Sequence, residues 1–436
     1  MFCNQCEQVY KGEGCVTVGV CGKDPDMQSL QETLLYGLKG MASYAHHARR
    51  LGMVDEEVDA FLEEGLFATV TNVNFDIETL FELVLDCGKH NLRVMQMLDE
   101  AHTKRFGTPS PTTVFEGTKP GPGILVTGHD MLDLADLLEQ TKGTGVNVYT
   151  HGEMLPAHMY PELRKYDHLV GHYGGAWQKQ KTEFAEFTGA ILATTNCVLI
   201  PRDVYKDRLF TTRVTAVPGG KRLKTNDFSA VIECAKKSNP LPDQPVREST
   251  VGFHHNVLLG LADKIVAAVK AGKLKHFFLI GGCDGAETGR NYFTEFARNT
   301  PKDSVVLTLG CGKFRIRDED FGTIELDGVG PVPRLLDMGQ CNDAYGAIQV
   351  ASGLAQAFDC SVNDLPLTIV LSWFEQKAVA VLLTLLYLGV KGIRIGPAAP
   401  AFVSPNVFKI LQDKYDLKLT DKDPLADLKE SLQGAS

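Results

Sequence analysis

Four cysteines lie within the first 21 residues of this 436-residue chain. Cys3, Cys6, Cys15 and Cys21 follow the spacing C-x2-C-x8-C-x5-C, and glycines at positions 12, 14, 19 and 22 surround the last two. The glycines let the backbone turn tightly around a compact group of atoms bound by the cysteines. Such a segment buries little apolar surface, so disulfide bonds or a metal centre must stabilise it.

The start of the chain and the cysteine spacing decide between these possibilities. The chain begins Met-Phe-Cys-Asn, without the basic and apolar regions of a signal peptide, so we expect a cytoplasmic protein with reduced thiols. Structural zinc sites usually contain two CxxC pairs, whereas this segment contains one. The uneven spacing therefore favours a [4Fe-4S] cluster on the four cysteines. A zinc site and a metal-free segment remain as alternatives.

Composition argues against two classes of partner. The formal net charge is −10, and no basic stripe is present that would neutralise the phosphates of a nucleic acid. The longest apolar run, residues 378–390, is too short to span a bilayer and predicts a buried helix. We therefore expect neither a nucleic acid nor a membrane as a partner.

The chain divides into one helical part and two α/β parts. Residues 1–106 contain the cysteine segment and three helical segments, whose apolar side chains recur at i+3 and i+4 spacing and predict a three-helix bundle. Residues 107–122 are rich in proline and glycine and predict a linker. Short β-rich runs alternate with helical ones in residues 123–243 and again in residues 244–436. The predicted fold is a multidomain α/β protein, with an Fe–S-binding N-terminal bundle followed by two Rossmann-like parallel α/β domains.

The layered α/β pattern does not carry a nucleotide-binding motif. Neither G-x-G-x-x-G nor G-x-x-x-x-G-K-[ST] occurs in the chain, so we expect no bound dinucleotide or nucleoside triphosphate. In the second α/β part, residues 258–269 and the apolar helix after Trp373 are expected to pack on the faces of the sheet.

Side chains that can bind a metal follow nearly every predicted strand. Open α/β sheets bind ligands in the crevice outside the carboxyl ends of their strands. The candidates at those ends are His129, Glu153, Cys197, Cys283, Cys311, Cys341 and Glu375. Two sheets that face each other would bring all seven to one cavity at the domain interface. One imidazole, two carboxylates and four thiolates suit a mixed-ligand iron centre.

A single cysteine after a buried strand is more often a small core residue than a ligand. Cys283, Cys311 and Cys341 argue against that interpretation, because they lie 28 and 30 residues apart, close to one βα unit each, and two of them follow glycine directly. The remaining cysteines and two histidine pairs lack such placement and are expected to be structural: Cys87, Cys234, Cys360, His46 with His47, and His254 with His255.

The motifs of this chain resemble, in their order, those of the hybrid-cluster protein family, also called hydroxylamine reductases, a relative of the nickel–iron carbon monoxide dehydrogenases. They are MFCNQCEQ at 1–8, GHD at 128–130, THGEMLP at 150–156, GGAWQ at 174–178, TNC at 195–197, GCDG at 282–285, LGCGKFR at 309–315, DMGQCND at 337–343 and WFEQKA at 373–378. The resemblance covers the whole chain. Longer relatives have two bundles before the first α/β domain, so the chain resembles the short subgroup that lacks one.

The resemblance implies two cofactors and their ligands. A proximal [4Fe-4S] cluster would bind to the four N-terminal cysteines, Cys3, Cys6, Cys15 and Cys21. A hybrid [4Fe-2O-2S] cluster would bind to His129, Glu153, Cys197, Cys283, Cys311, Cys341 and Glu375, and Cys283 matches the cysteine that often carries a persulfide sulfur. Glu375 and Lys377, at the start of one helix, are the expected catalytic pair.

The resemblance also implies an activity and its partners. It predicts an iron–sulfur oxidoreductase that reduces hydroxylamine to ammonia and water. An external donor protein would supply the electrons, and a homodimer is a candidate assembly. Nitric oxide reduction or protein S-nitrosylation at the same cluster is the alternative enzyme activity, and a redox sensor is the non-enzymatic one. Carbon monoxide dehydrogenation would require nickel, whereas the ligand set rich in histidine and glutamate favours oxygen-bridged iron.

Overall fold

The computed structural model describes residues 1–287 and 289–433. After the N-terminal segment come three helices, α1 (Pro25–Arg50), α2 (Glu56–Ala68) and α3 (Ile77–Phe106). Each begins after an aspartate whose side chain accepts hydrogen bonds from amides of the first turn; these are Asp24, Asp55 and Asp76. One face of each helix is buried against the others, and the predicted three-helix bundle is confirmed.

The first sheet contains eight strands among the described residues, in the order β7-β6-β5-β2-β3-β4-β1-β8. The strands are β1 (Thr112–Thr118), β2 (Gly123–Thr127), β3 (Asn147–His151), β4 (Leu169–His172), β5 (Ala190–Ala193), β6 (Leu209–Thr212), β7 (Lys221–Leu223) and β8 (Gln244–Val251). The helices are α4 (Met131–Thr141), α5 (Pro161–Arg164), α6 (Gln180–Glu186) and α7 (Ser229–Lys237). Every residue of β2 and β5 is buried, as expected for parallel strands covered on both faces.

The structure corrects the predicted linker at residues 107–122. Strand β1 lies inside it and pairs antiparallel with β8, which the sequence assigned to the second α/β part. All four prolines of the segment, at positions 109, 111, 120 and 122, flank the strand and leave its hydrogen bonds intact. The proline and glycine content therefore marked the two ends of a strand rather than a connection without secondary structure.

The second sheet contains six parallel strands among the described residues, in the order β13-β10-β9-β14-β15-β16. The strands of this half, including the separate β11–β12 hairpin, are β9 (His276–Gly282), β10 (Ser304–Thr308), β11 (Thr323–Leu326), β12 (Gly330–Pro333), β13 (Leu335–Asp337), β14 (Leu367–Ser372), β15 (Arg394–Gly396) and β16 (Lys418–Leu419). The helices are α8 (His255–Gly260), α9 (Ala262–Lys270), α10 (Asn291–Arg298), α11 (Ala344–Phe358), α12 (Gln376–Tyr387), α13 (Pro405–Tyr415) and α14 (Pro424–Gln433). The mixed α/β fold, with two sheets of mainly parallel strands, agrees with the prediction.

Both sheets reverse their strand order near the middle. In the first sheet β2 lies between β3 and β5, and in the second sheet β9 lies between β10 and β14. At such a switch point the connections leave in opposite directions and open a crevice beyond the carboxyl ends of the strands. These ends carry the seven predicted ligands.

Helix α12 lines a cavity beside the second sheet. It also packs against α1 and α3 and so acts as a fourth helix of the bundle. Two glycines allow this approach, because a Cβ atom on Gly40 would overlap the carbonyl oxygen of Gln376 and one on Gly88 would overlap that of Leu383. The bundle is thereby fixed directly to the helix that begins after Glu375.

Within the described ranges, none of the helices is both long enough and apolar enough to cross a membrane.

Candidate metal centres

A single cavity lies where the carboxyl ends of the two sheets meet. All seven side chains predicted as ligands of the hybrid cluster line it: His129, Glu153, Cys197, Cys283, Cys311, Cys341 and Glu375. Three follow strands of the first sheet and four follow strands of the second. The structure therefore brings together residues that lie up to 246 positions apart in the sequence.

On the first sheet, His129 and Glu153 are the paired metal-competent groups. The Nε2 atom of His129 lies 3.6 Å from Oε2 of Glu153, and both lie within 4.8 Å of the Cys341 sulfur. The Thr195 hydroxyl accepts a hydrogen bond from the His129 amide at 2.8 Å and lies 3.0 Å from His129 Nδ1. The contact with Thr195 engages Nδ1 and leaves Nε2 facing the cavity. In metal sites, a hydrogen bond to the ring nitrogen that does not bind the metal orients the histidine in the same way.

On the second sheet, glycines bring two cysteines to the cavity. Gly282 has φ +96°, and a Cβ atom there would overlap the carbonyl oxygen of Ser372. Gly310 has φ +70° and lies against the backbone of Gly282. These left-handed conformations favour glycine, which is why it precedes both Cys283 and Cys311.

Burial shifts the pKa values of the four thiols of the cavity. It raises the pKa of Cys197 to about 12 and raises the pKa values of Cys283, Cys311 and Cys341 above the usual range. Metal binding would displace these protons, because the thiolate is the ligand form. The donor set of four thiols, an imidazole and two carboxylates thus fits a multinuclear iron centre.

Two further observations agree with that fit. Glu153 Oε1 is buried and has no hydrogen-bond partner among the described residues, so one carboxylate oxygen is free to bind a metal. Burial, together with the nearby Lys377 cation, lowers the pKa of His129, which leaves its imidazole neutral, as a ligand requires.

Glu375 and Lys377 occupy the start of α12. The Glu375 side chain caps the helix by accepting a hydrogen bond from the Lys377 amide at 3.2 Å. Lys377 Nζ lies 3.1 Å from His129 Nε2, 3.2 Å from Asn196 Oδ1 and 3.8 Å from Glu375 Oε1. Burial alone would lower the pKa of Lys377, but the Cys341 and Glu375 groups outweigh it and raise that pKa.

Several residues around the cavity were not predicted from the sequence. Gln340 Nε2 donates to the Glu153 carbonyl oxygen at 2.7 Å and to that of His129 at 3.3 Å, so it ties the two sheets together. Lys313 Nζ donates to Asp337 Oδ1 at 2.5 Å. Both belong to cysteine-containing motifs, 309–315 and 337–343, which is the signal that would have identified them.

Tyr44 is the residue that no sequence signal indicated. It lies on α1, is 2% exposed, and lines a small cavity together with His129 and Lys377. Its hydroxyl has no hydrogen-bond partner among the described residues. Burial, followed by the Cys341 sulfur, raises its pKa well above the ordinary value. The helical bundle therefore contributes a polar group directly beside a predicted ligand.

The four N-terminal cysteines lie outside the cavity between the sheets. The Cys3 amide donates to the Cys15 carbonyl oxygen at 3.0 Å, and the Cys15 amide donates back to Cys3 at 2.8 Å. Cys3 and Cys15 are buried, Cys6 is half-buried and Cys21 is exposed. Backbone hydrogen bonds from Tyr10 and Val20 lower the pKa of the Cys15 thiol, which favours the thiolate that a cluster needs. All eleven cysteines of the chain are free thiols.

A second cluster of potential ligands has a simpler explanation. Asp99, His254 and His255 are buried and close together. His254 Nε2 lies 2.8 Å from Asp99 Oδ1, and its Nδ1 accepts a hydrogen bond from the Asn256 amide at the start of α8. His254 therefore has the contacts of a helix cap.

The fold is that of an α/β protein with a pocket between two sheets. Four thiols, an imidazole and two carboxylates line this pocket, and such a donor set suits a metal. The chain belongs to the Prismane/CO dehydrogenase family, which it matches over residues 1–83 and 76–423. The family predicted from the motifs is thereby confirmed.

Relatives match along the whole chain. It is 62% identical to the hydroxylamine reductase of Moorella thermoacetica over 432 residues, which cover 99% of this chain and 100% of the relative. It is 49% identical to the hydroxylamine reductase of Methanothermobacter thermautotrophicus over 433 residues, with 99% of both chains covered. The identity to the hydroxylamine reductase of Geobacter metallireducens is 44% over 552 aligned positions, again covering 99% of both chains.

Solved structures share the fold at low sequence identity. A nickel-free carbon monoxide dehydrogenase from Thermococcus sp. AM4 superposes with a TM-score of 0.77 at 18% identity, covering 99% of this chain and 90% of that one. Carbon monoxide dehydrogenase IV from Carboxydothermus hydrogenoformans gives 0.77 at 15% identity, with 99% and 92% coverage. These likenesses establish the common fold.

Proposed function

We propose that this chain is an iron–sulfur oxidoreductase that reduces hydroxylamine to ammonia and water. One observation carries the proposal: all seven candidate ligands line one cavity in a chain that is 62% identical, over its whole length, to a hydroxylamine reductase. The reaction consumes two electrons and two protons per hydroxylamine and breaks the N–O bond.

The residues suggest how two centres would be held. A hybrid [4Fe-2O-2S] cluster would bind to His129, Glu153, Cys197, Cys283, Cys311, Cys341 and Glu375, with Cys283 as the candidate persulfide position. Once bound, this cluster would supply a Lewis-acidic iron and the electrons for N–O cleavage. A [4Fe-4S] cluster would bind to Cys3, Cys6, Cys15 and Cys21 and relay electrons.

Protein groups beside the cavity would handle the protons. The raised pKa of Lys377 keeps its Nζ atom protonated, so it can donate a hydrogen bond or a proton to an oxygen in the cavity. Glu375 can act as a metal ligand or as a free carboxylate, because its helix-capping contact is a single hydrogen bond. The neighbouring Asn196 amide oxygen orients the ammonium. Glu375 and Lys377 are therefore the proposed catalytic residues.

Electrons would enter through the N-terminal centre. Cys21 is exposed and the adjacent Gly22 is exposed too, so an external donor protein can approach this centre closely. The eleven free thiols are consistent with a reducing compartment, and we propose the cytoplasm. A homodimer remains the proposed assembly.

The test is anaerobic purification followed by metal analysis and turnover. We expect about eight irons per chain, the content of two four-iron centres, and ammonia formed in proportion to the hydroxylamine consumed. Stoichiometric zinc with little iron, or iron-loaded protein that forms no ammonia from hydroxylamine, would refute the proposal.

Nitric oxide reduction is a second candidate, and a separate cavity favours it. A cavity of about 360 Å³ lies between the second sheet and helices α11 and α12, and Cys283 and Cys341 line it together with mostly aliphatic side chains. An apolar diatomic gas would partition into such a space, whereas hydroxylamine, which forms hydrogen bonds, would not.

A substitution that fills this cavity would distinguish nitric oxide reduction from hydroxylamine reduction. Ala347 lines this space on α11, and Ala347→Leu would narrow it. If nitric oxide uses the cavity, kcat/KM for nitric oxide should fall several-fold while kcat/KM for hydroxylamine stays near the wild-type value. Equal effects on both substrates would remove the reason for considering nitric oxide reduction.

A further inference from the structure

Lys23 is a lysine of the N-terminal region whose side chain is completely buried, at 0% exposure. Its Nζ atom lies 2.6 Å from Gln31 Oε1, 2.9 Å from Gln28 Oε1 and 3.9 Å from the Cys3 sulfur. An ammonium group has three N–H donors, and here each donor has one acceptor. The hydrogen-bonding geometry therefore suits a charged lysine.

The charge on this ammonium needs a partner. Burying an isolated cation is very costly, and neutral amides alone do not offset that cost. Glu32 is close enough to interact electrostatically with Lys23, but among the described residues no carboxylate forms an ion pair with the ammonium. Of the three acceptors, the Cys3 sulfur is the one that can carry a negative charge.

The backbone holds Lys23 in this position. The Gly19 amide donates a hydrogen bond to the Lys23 carbonyl oxygen at 2.7 Å, and Gln28 and Gln31 follow on α1. The cysteine segment and the first turns of the bundle thus enclose the ammonium from both sides.

We infer that the Lys23 ammonium is the buried counter-charge of the N-terminal cysteine centre and raises the reduction potential of that centre. The inference rests on the proposed function, in which the four cysteines hold a redox-active iron–sulfur cluster. One-electron reduction by an external reductant makes the centre more negative by one unit, and no bond or proton is exchanged. A nearby buried cation stabilises the reduced form more than the oxidised form, because attraction grows with the charge.

An electrochemical titration tests this inference on the anaerobically purified protein. The EPR signal of the reduced N-terminal centre is followed while dithionite lowers the ambient potential, and the signal is assigned by its absence in Cys6→Ala. Lys23→Met should lower the ratio of reduced to oxidised centre at least tenfold at a fixed potential, a downward shift of about 59 mV for a one-electron couple.

Two matched variants separate charge from packing. Lys11→Met removes the same charge from an exposed position of the same segment, where water screens it, so its ratio should change less than threefold. Lys23→Arg keeps the cation and should restore the ratio to within threefold of the wild-type value.

Each result decides the question. The inference is supported by a large shift in Lys23→Met with recovery in Lys23→Arg, and also by loss of the centre in Lys23→Met with assembly in Lys23→Arg. It is overturned if Lys23→Met keeps the wild-type ratio of reduced to oxidised centre, or if Lys11→Met changes that ratio as much as Lys23→Met does. It is also overturned if Lys23→Met and Lys23→Arg both lose the centre, or if both change the ratio by the same amount. If the unmodified protein has no reducible iron centre, the proposed function itself fails, which the wild-type titration shows before any variant is compared.

Discussion

Lys377 Nζ lies 3.1 Å from His129 Nε2, although the two residues follow strands of different sheets and stand 248 positions apart in the sequence. His129 follows β2 of the first sheet, and Lys377 lies in the first turn of the helix after β14 of the second. The pKa of the lysine is raised and that of the histidine is lowered, so the proton resides on the ammonium. This contact joins a predicted ligand to a predicted proton donor across the domain interface.

Replacing Glu375 by glutamine should abolish most of the turnover while leaving the fold intact. The glutamine side-chain oxygen can still accept the hydrogen bond from the Lys377 amide that caps α12. The substitution removes the charge and most of the ligand strength, so kcat for hydroxylamine should fall by about 10²-fold or more. Steady-state kinetics of the iron-loaded variant measures this, with Cys360→Ala as the control. A control as damaging as Glu375→Gln would require a new assignment of the ligands.

Lys377→Ala should separate proton handling from metal binding. The ammonium contacts His129, Asn196 and Glu375 but is not a metal ligand, so iron content should stay near the wild-type value. Turnover should fall, because the buried proton donor is lost. Iron analysis and kinetics on the same preparation give both quantities. Loss of iron in parallel with activity would mean that Lys377 is needed to assemble the site.

Cys6→Ala should remove the N-terminal cluster and spare the second one. Cys6 lies in the N-terminal segment, whereas the seven other candidate ligands follow strands of the two sheets. About four irons should remain, and turnover with an external electron donor should slow, since the relay is lost. EPR spectra of the variant and the wild type provide the comparison. A folded variant without either cluster would contradict the separation of the two sites.

Gly88→Ala should destabilise the whole protein through the bundle. The added Cβ atom would overlap the Leu383 carbonyl oxygen and push α12 away from α3, at a cost of about 1–3 kcal/mol in the free energy of unfolding. Thermal unfolding measures the loss. Gly260→Ala is the control, because no atom lies within 4 Å of a Cβ there and the residue ends α8, so stability should not fall. A Gly88→Ala variant as stable as wild type would show that the helices can separate without cost.

The sequence was most informative about features that depend only on neighbouring residues. A glycine before Cys283 and before Cys311 is needed for left-handed backbone at the end of a buried strand, and the βα spacing repeats with the fold. Such features can be predicted without knowing how the domains pack.

Contacts between distant segments could not be predicted in this way. Helical periodicity places Tyr44 on a buried face of α1 but does not show that this face lies beside His129 and Lys377. The apolar run of α12 predicts burial without identifying the two helices that it packs against, α1 and α3. Lys23 would ordinarily be expected at the surface, since an isolated buried cation is costly, and its place beside Cys3 becomes visible only in the folded chain.

Anomalous diffraction at the iron edge, from crystals grown anaerobically, tests the central claim most directly. We predict iron peaks in the cavity between the sheets, within bonding distance of His129 Nε2, the Glu153 and Glu375 carboxylates and the sulfurs of Cys197, Cys283, Cys311 and Cys341, and a second group of iron peaks at the four N-terminal cysteines. A cavity without iron in protein that reduces hydroxylamine, or iron bound to a different set of side chains, would contradict the account.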